Sequence, residues 1–213
     1  MACFITFEGI EGCGKTTQLR LLAENLRGRG HLVAVTREPG GCPIADRVRD
    51  ILLDAENSAI TPLTELLLYA AARAQHVAEV VAPALNAGQI VLCDRFTDAT
   101  IAYQGYGRGL DQELIARLNS LATGNTHPEI TILVDCPVEV GLERAMARIN
   151  GSGGAREERF ELESRQFHQR VREGYLTLAQ LEPDRFIVID GSRGIEETGV
   201  AIATALIPRL AQG

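Results

Sequence analysis

The stretch Cys3-Phe4-Ile5-Thr6-Phe7-Glu8-Gly9-Ile10-Glu11-Gly12-Cys13-Gly14-Lys15-Thr16-Thr17 decides the fold. A β-rich run leads into G-x-x-x-x-G-K-[ST], and a helical pattern from Thr17 to Leu26 follows at once. Strand, loop and helix in that order make the match specific. The glycines let the backbone wrap so that successive N–H groups point inward at phosphate oxygens, and the following helix adds its N-terminal dipole. All nine residues from Gly9 to Thr17 are therefore expected to form an ATP site. Lys15 reaches the β- and γ-phosphates in this reading, and the Thr16 hydroxyl ligates Mg2+.

Working outward, four more nearly continuous apolar runs occur at 32–36 (LVAVT), 90–94 (IVLCD), 130–135 (ITILVD) and 186–190 (FIVID). Runs without alternation are what strands covered on both faces look like. Helical patterns at about 15–28, 43–54, 61–87, 111–122, 137–149, 160–181 and 195–210 separate them, which predicts a parallel sheet with crossover helices. Phe167, Val171, Tyr175, Leu178 and Leu181 form an apolar stripe on one helix, read as core packing. Two Gly-rich segments read as surface loops: Gln104 to Gly109, and Asn150 to Glu158, the latter a flap that suits a lid.

With 213 residues, 46% of them hydrophobic and 23% charged, the chain has enough apolar material for one globular domain and falls outside the range of disorder. A net charge of -7 argues against holding a nucleic-acid polymer on a basic face, so any phosphate is bound locally. No apolar stretch is long enough for a membrane span. Five scattered cysteines with no C-x-x-C suggest reduced thiols in a cytoplasmic protein. Of the 21 basic residues, Lys15 is the only lysine.

That lone lysine helps to fix the class. The N-K-x-D signature of guanine-reading GTPases is impossible elsewhere in the chain. Motor ATPases usually end the corresponding strand with Asp-Glu, whereas here it ends in Asp94-Arg95. An Asp at a strand end can hold Mg2+ through water, and the adjacent guanidinium can fork onto a second phosphate. The plain competitor is a surface ion pair. From the residues alone, a kinase for any nucleoside or nucleoside monophosphate stays open, as does a binding module switched by ATP.

The chain also resembles the thymidylate kinase family from end to end. The carrying motifs are FEGIEGCGKTTQ, TREPGG, LYAAARAQH, LCDRFTDATIAYQGYGRG, ILVDCPVEVGLERAMAR and ERFELESRQFHQRVREGYLTLA, in the family's order over residues 4 to 179. The resemblance implies an α/β fold of the P-loop nucleoside monophosphate kinase type, with a five-stranded parallel sheet flanked by helices in three α/β/α layers. It implies one domain over residues 1–213 with a lid at about 149–160. Mg2+-dependent transfer of the γ-phosphoryl of ATP to dTMP is the implied reaction, and a homodimer the implied assembly.

By the same resemblance, Arg95 contacts the dTMP phosphate and the transferring group. Glu38 and Arg49 belong to the monophosphate site, and Glu11 lies near the 3'-hydroxyl and the metal. Tyr69 stacks on thymine, Arg73 donates to its O4, Thr100 and Gln104 reach the base edge, and Tyr103 crowds the ribose 2' position. A donor aimed at O4 disfavours cytosine, whose exocyclic amine would set two donors face to face. The bland competitors are a core tyrosine and a surface arginine for Tyr69 and Arg73, simple packing for Tyr103 and a turn cap for Gln104.

The family supplies its charge-stabilising arginine from the phosphate loop or from the lid. The loop position here is Gly12, so the lid is expected to act, with Arg156 or Arg148 closing over ATP. The Asn150 to Ala155 insertion shifts the lid register, and Arg159 flanks it. Thr100 stands where serine is more familiar, and Phe96 where tyrosine is. Glu38-Pro39 is expected to be cis. His76, His127 and His168 read as structural or solvated, and Arg144 as a helix-surface residue.

Overall fold

The computed structural model of the protein describes residues 2–151 and 159–210. Five strands, β1 (Cys3–Glu8), β2 (Val33–Arg37), β3 (Ile90–Asp94), β4 (Ile130–Asp135) and β5 (Phe186–Asp190), form one sheet in the order β2-β3-β1-β4-β5, every pair parallel. All five sequence runs are strands. β1 and β3 lie side by side, Phe7 level with Asp94, yet lead off in opposite directions along the sheet. The crevice beyond their carboxyl ends is where such sheets place ligands.

Helices α1 (Lys15–Gly28), α2 (Pro43–Leu53), α3 (Pro62–His76), α4 (Ala82–Asn86), α5 (Thr97–Thr100), α6 (Gln112–Thr123), α7 (Val138–Gly151), α8 (Arg165–Leu181) and α9 (Ile195–Leu210) complete the described chain. Helices α1 and α9 pack together over one face, with Leu19, Leu22 and Leu26 buried against the sheet. On the other face Phe4, Val91 and Cys93 meet Val77, Val81 and Phe96. Thr6 and Glu8 share that buried face. The Thr6 hydroxyl bonds that of Thr131 at 2.9 Å, so this polar pair is satisfied inside the sheet.

Three expectations need correction. The helix expected at 61–87 widens into a π-turn at Val77–Val81, just ahead of Pro83, which has no N–H to continue the ladder. The helix expected from 160 begins at Arg165, where the Ser164 hydroxyl caps it by accepting from Phe167 N at 3.2 Å.

Gln104 to Gly109, read as a surface loop, opens instead with the π-helical turn Ile101–Gly107, in which Tyr103, Gln104, Gly105 and Gly107 are buried. Its glycines serve close packing. A Cβ on Gly107 would fall 2.7 Å from the Phe167 ring, and one on Gly105 would fall 2.4 Å from the Gln112 amide. The Glu38-Pro39 peptide is cis.

Candidate active site

The phosphate loop is shaped by backbone that only glycine adopts freely. Gly9, Gly12 and Gly14 have φ of 137°, 67° and 99°. At Gly12 a Cβ would meet the Gly141 carbonyl oxygen at 1.9 Å, so the loop lies directly on α7. Gly14 faces open space. Cys13 is buried beneath the loop. Lys15 folds back over it, its Nζ donating to Ile10 O at 2.7 Å with Cys13 Sγ at 3.5 Å. The Thr16 hydroxyl stands at the mouth and donates to Asp94 Oδ2, while Thr17 continues α1.

At the end of β3 the chain turns sharply. Arg95 has φ of 71°, a left-handed conformation that costs a side-chain-bearing residue about 1–2 kcal/mol. Its N–H donates to Phe7 O at 2.9 Å. Its guanidinium donates to Gly9 O (2.9 Å), Tyr175 OH (3.1 Å) and Glu11 Oε1 (3.0 Å) and lies over the Tyr103 ring at 4.8 Å. Asp94 and Arg95 therefore do not pair with each other as a surface couple. Asp94 faces the phosphate-loop hydroxyl, and Arg95 faces Glu11. Tyr103 OH also donates to Glu11 Oε1, at 2.5 Å. Burial raises the Glu11 carboxyl, but Arg95, His168 and Lys15 together outweigh it and hold the group well below the carboxylate range.

A cleft of about 850 Å³ opens over these groups, lined also by Glu38, Arg49, Tyr69, Arg73, Thr100 and Gln104. Tyr69 and Arg73 share one face of α3 as their spacing requires, yet Arg73 is no surface arginine. Only 1% exposed, it donates to Glu38 Oε2 (2.8 Å), Asn119 Oδ1 (2.8 Å), Phe96 O (3.0 Å) and Thr100 Oγ1 (3.0 Å). Among the described residues four of its five N–H groups are taken, which leaves one on Nη1. Glu38 Oε1 meets His76 Nδ1 at 2.9 Å, and His76 Nε2 lies 2.6 Å from Thr36 Oγ1. Both oxygens of Glu38 are thus spent on holding α3 side chains. Arg49 donates to Pro39 O at 3.0 Å.

Tyr69, Tyr103 and Phe160 form an aromatic wall, with Tyr103 edge-on to Phe160 at 5.5 Å. Gln104 caps no turn. Its Nε2 donates to the buried Glu65 at 2.8 Å.

On the lid side, Arg148 lines the cleft and pairs with Glu161 at 3.2 Å. Burial, then the nearby Glu11 charge, raises the Glu161 carboxyl. Arg156 and most of the flap fall outside the described residues. Arg159 is drawn away from the cleft. It donates to Leu52 O and pairs with Glu65 at 2.7 Å, tying the end of the flap to α2 and α3.

Four neighbours of the site were not nominated from the sequence. Glu8 accepts from Phe96 N at 2.7 Å and Tyr175 OH at 2.8 Å, bracing both sides of Arg95. Burial, reinforced by Asp98, pushes its carboxyl up to about 8 against the pull of Arg95. Tyr175, read as core stripe, carries that contact to the guanidinium. His168 is neither solvated nor remote, since its buried Nδ1 lies 3.3 Å from Glu11 Oε2. Arg144 donates to Gly191 O (2.7 Å) and Ser192 O (3.1 Å), fixing the turn beside the phosphate loop. Only Glu8 had a visible signal, a carboxylate in an apolar strand adjoining the loop.

A strand-loop-helix turn that opens on a cleft lined by Arg49, Arg73 and Arg95, across the end of a five-stranded parallel sheet, has the fold of the P-loop nucleoside monophosphate kinases. The family model for thymidylate kinase matches residues 7–202. The thymidylate kinase of Geotalea uraniireducens is 70% identical over 213 residues, covering all of both chains. That of Geobacter sulfurreducens is 67% identical over 210 residues, 99% of each. The crystal structure of thymidylate kinase from Ehrlichia chaffeensis superposes with a TM-score of 0.77 at 36% identity, covering 96% of this chain and 98% of that one. The chain belongs to the thymidylate kinase family, transferases of nucleotide biosynthesis that convert dTMP to dTDP.

Proposed function

We propose that this chain, as a single domain over residues 1–213, transfers the γ-phosphoryl group of ATP to dTMP, giving dTDP and ADP. The observation that carries the reading is the divided end of β3. Asp94 turns to Thr16 at the end of the phosphate loop, and Arg95, one residue on, turns through a positive φ to Gly9 O and Glu11 Oε1 near the loop's start, where it lines the rest of the cleft. One strand end thereby serves two phosphates.

In this reading the loop from Gly9 to Thr17 holds the ATP phosphates, with Lys15 leaving the Ile10 carbonyl to reach them. Arg95 and Arg49 hold the dTMP phosphate. An acceptor oxygen attacks the γ-phosphorus as the bond to the β–γ bridging oxygen breaks, and that oxygen leaves with ADP. The acceptor is already anionic, so positioning and charge neutralisation carry the reaction and no general base is assigned. Arg148 and Arg156 supply positive charge from the lid.

Thr16 and Asp94 offer hard oxygen donors in mutual contact. No cluster of three acidic, histidine or cysteine side chains forms a closed cage among the described residues. That donor set suits Mg2+, which keeps water and phosphate oxygens in its shell. Thr16 and Asp94 would hold the ion, directly or through water, and the charge it would supply there would offset that of the phosphates.

The base stands against Tyr69. The remaining Arg73 N–H suits its O4, with Glu38 acting by fixing Arg73. Tyr103 and Glu11 line the same cleft, which supports a ribose set with its 2' position against the Tyr103 ring, disfavouring a 2'-hydroxyl, and its 3'-hydroxyl beside Glu11. Exposed Leu63, Leu67 and Ala71 make an apolar stripe on α3 that supports a homodimer. Five free buried cysteines suit a cytoplasmic location. No described helix is long and apolar enough to cross a membrane.

A coupled ADP-release assay with dTMP, dUMP, dCMP, AMP and thymidine tests the reading. Turnover should be best with dTMP. Comparable or better use of thymidine or AMP, or ATP turnover independent of any acceptor, would overturn it.

A further inference from the structure

Glu65 lies four residues before Tyr69 and eight before Arg73, on the buried side of α3, and is 1% exposed. Its Oε1 accepts from Gln104 Nε2 at 2.8 Å and from Arg108 Nε at 3.2 Å. Its Oε2 accepts from Arg159 Nη1 at 2.7 Å and from Arg108 Nη2 at 3.1 Å. A carboxylate held between two guanidinium groups offers only acceptors. The NH2 end of the Gln104 amide must therefore face it. No described residue donates to the Gln104 side-chain oxygen, Oε1, and Gln104 lines the cleft where the base is assigned.

We propose that Glu65 is a positioning residue for base specificity, locking the Gln104 amide so that its carbonyl is offered to the substrate. The inference rests on the dTMP reading above. Thymine presents an N3–H and a carbonyl at C4, whereas cytosine presents a bare N3 lone pair and an amine at C4. A locked acceptor accepts from thymine N3–H and opposes the cytosine lone pair. An unrestrained glutamine could turn its amide over and donate to cytosine instead, because its two ends are nearly the same shape. Arg73 cannot turn in this way, and Glu38, Phe96 O and Thr100 fix its donors independently. Glu65 thus makes the second of two base-reading groups single-valued. Rejection then follows from leaving a buried polar group unpaired.

The test compares kcat/KM for dTMP and dCMP in the wild type, Glu65→Gln and Arg108→Met. Glutamine at 65 can present either end, so Gln104 becomes free to turn over. The preference for dTMP should fall by about tenfold or more, chiefly through improved use of dCMP. Arg108→Met removes a partner of Glu65 but keeps its bond to Gln104, so thermal stability should fall while the preference stays. An unchanged preference in folded Glu65→Gln overturns the proposal, as does a preference lost equally in Arg108→Met. If Glu65→Gln does not fold, Glu65→Asp keeps the charge between the arginines and withdraws it from Gln104. It should lose part of the preference, and no loss overturns the proposal. A wild type that does not use dTMP defeats the broader reading instead, so the two failures are distinct.

Discussion

Arg73 and Glu38 meet at 2.8 Å with side chains 1% and 4% exposed, an ion pair taken almost wholly out of water. Removing one member of such a pair strands the other charge and costs about 3–5 kcal/mol. Glu38→Ala should lose stability on that scale in urea denaturation. It should also raise the KM for dTMP more than that for ATP, since Arg73 loses the contact that aims it.

Arg95, proposed above to hold the acceptor phosphate, is braced by Gly9 O, Tyr175 and Glu11. Arg95→Ala should lower kcat by on the order of a thousandfold, the scale of a charge-stabilising arginine in phosphoryl transfer. Tyr175→Phe removes one brace and keeps the guanidinium, so steady-state kinetics should show a much smaller loss.

The lid arginines separate by burial. Arg148 lies at the cleft, whereas Arg159 is committed to Glu65 and Leu52. Single alanine substitutions at Arg148 and Arg156 should depress turnover with little change in melting temperature. Arg159→Ala should chiefly lower the melting temperature. Unchanged turnover in all three would exclude the lid as the source of catalytic charge.

Much of this was legible in the sequence because the decisive features are local. A strand, a glycine turn and a helix placed Lys15 and Thr16 without reference to the rest of the chain. The five strands announced themselves by continuous apolar character, but only β1, β3 and β4 are buried as that pattern predicts; at the sheet edges β2 buries Thr36 alone and β5 leaves Val188 exposed. Gln104 to Gly109 was misread because glycine there means close approach to Phe167 and Gln112, a relation between segments far apart in sequence. Glu65, Tyr175 and His168 escaped for a similar reason. Their helical spacing reports only which face is buried, and their partners come from other elements. Arg159 shows the converse, since its ambiguous position at the flap became structural only once α2 and α3 were seen around it.

Glu8 gives the site a pH signature. Its carboxyl is raised from 4.5 to about 8 in the folded chain, mainly by burial, so between those values the folded state holds a proton that the unfolded state releases. Its contribution is complete below the unfolded value and fades as pH rises through the folded one. Glu8→Gln should therefore lose less stability than the wild type between pH 5 and 8. Parallel melting curves for the two proteins across that range would refute the assignment.

The contact between the phosphate loop and α7 leaves no room for a methyl group. A Cβ on Gly141 would lie 2.5 Å from Glu11 O and 3.0 Å from Ile10 Cδ1. Gly141→Ala should displace the loop and weaken ATP binding in titration calorimetry, with the base preference retained.

Lys15, folded back onto the loop and only 7% exposed, is also the sole lysine of the chain. A lysine-specific endoproteinase therefore has a single peptide bond to attack, Lys15-Thr16, at the heart of the nucleotide cradle. Its cutting rate becomes a one-site gauge of how often that cradle unwinds, needing neither label nor substitution.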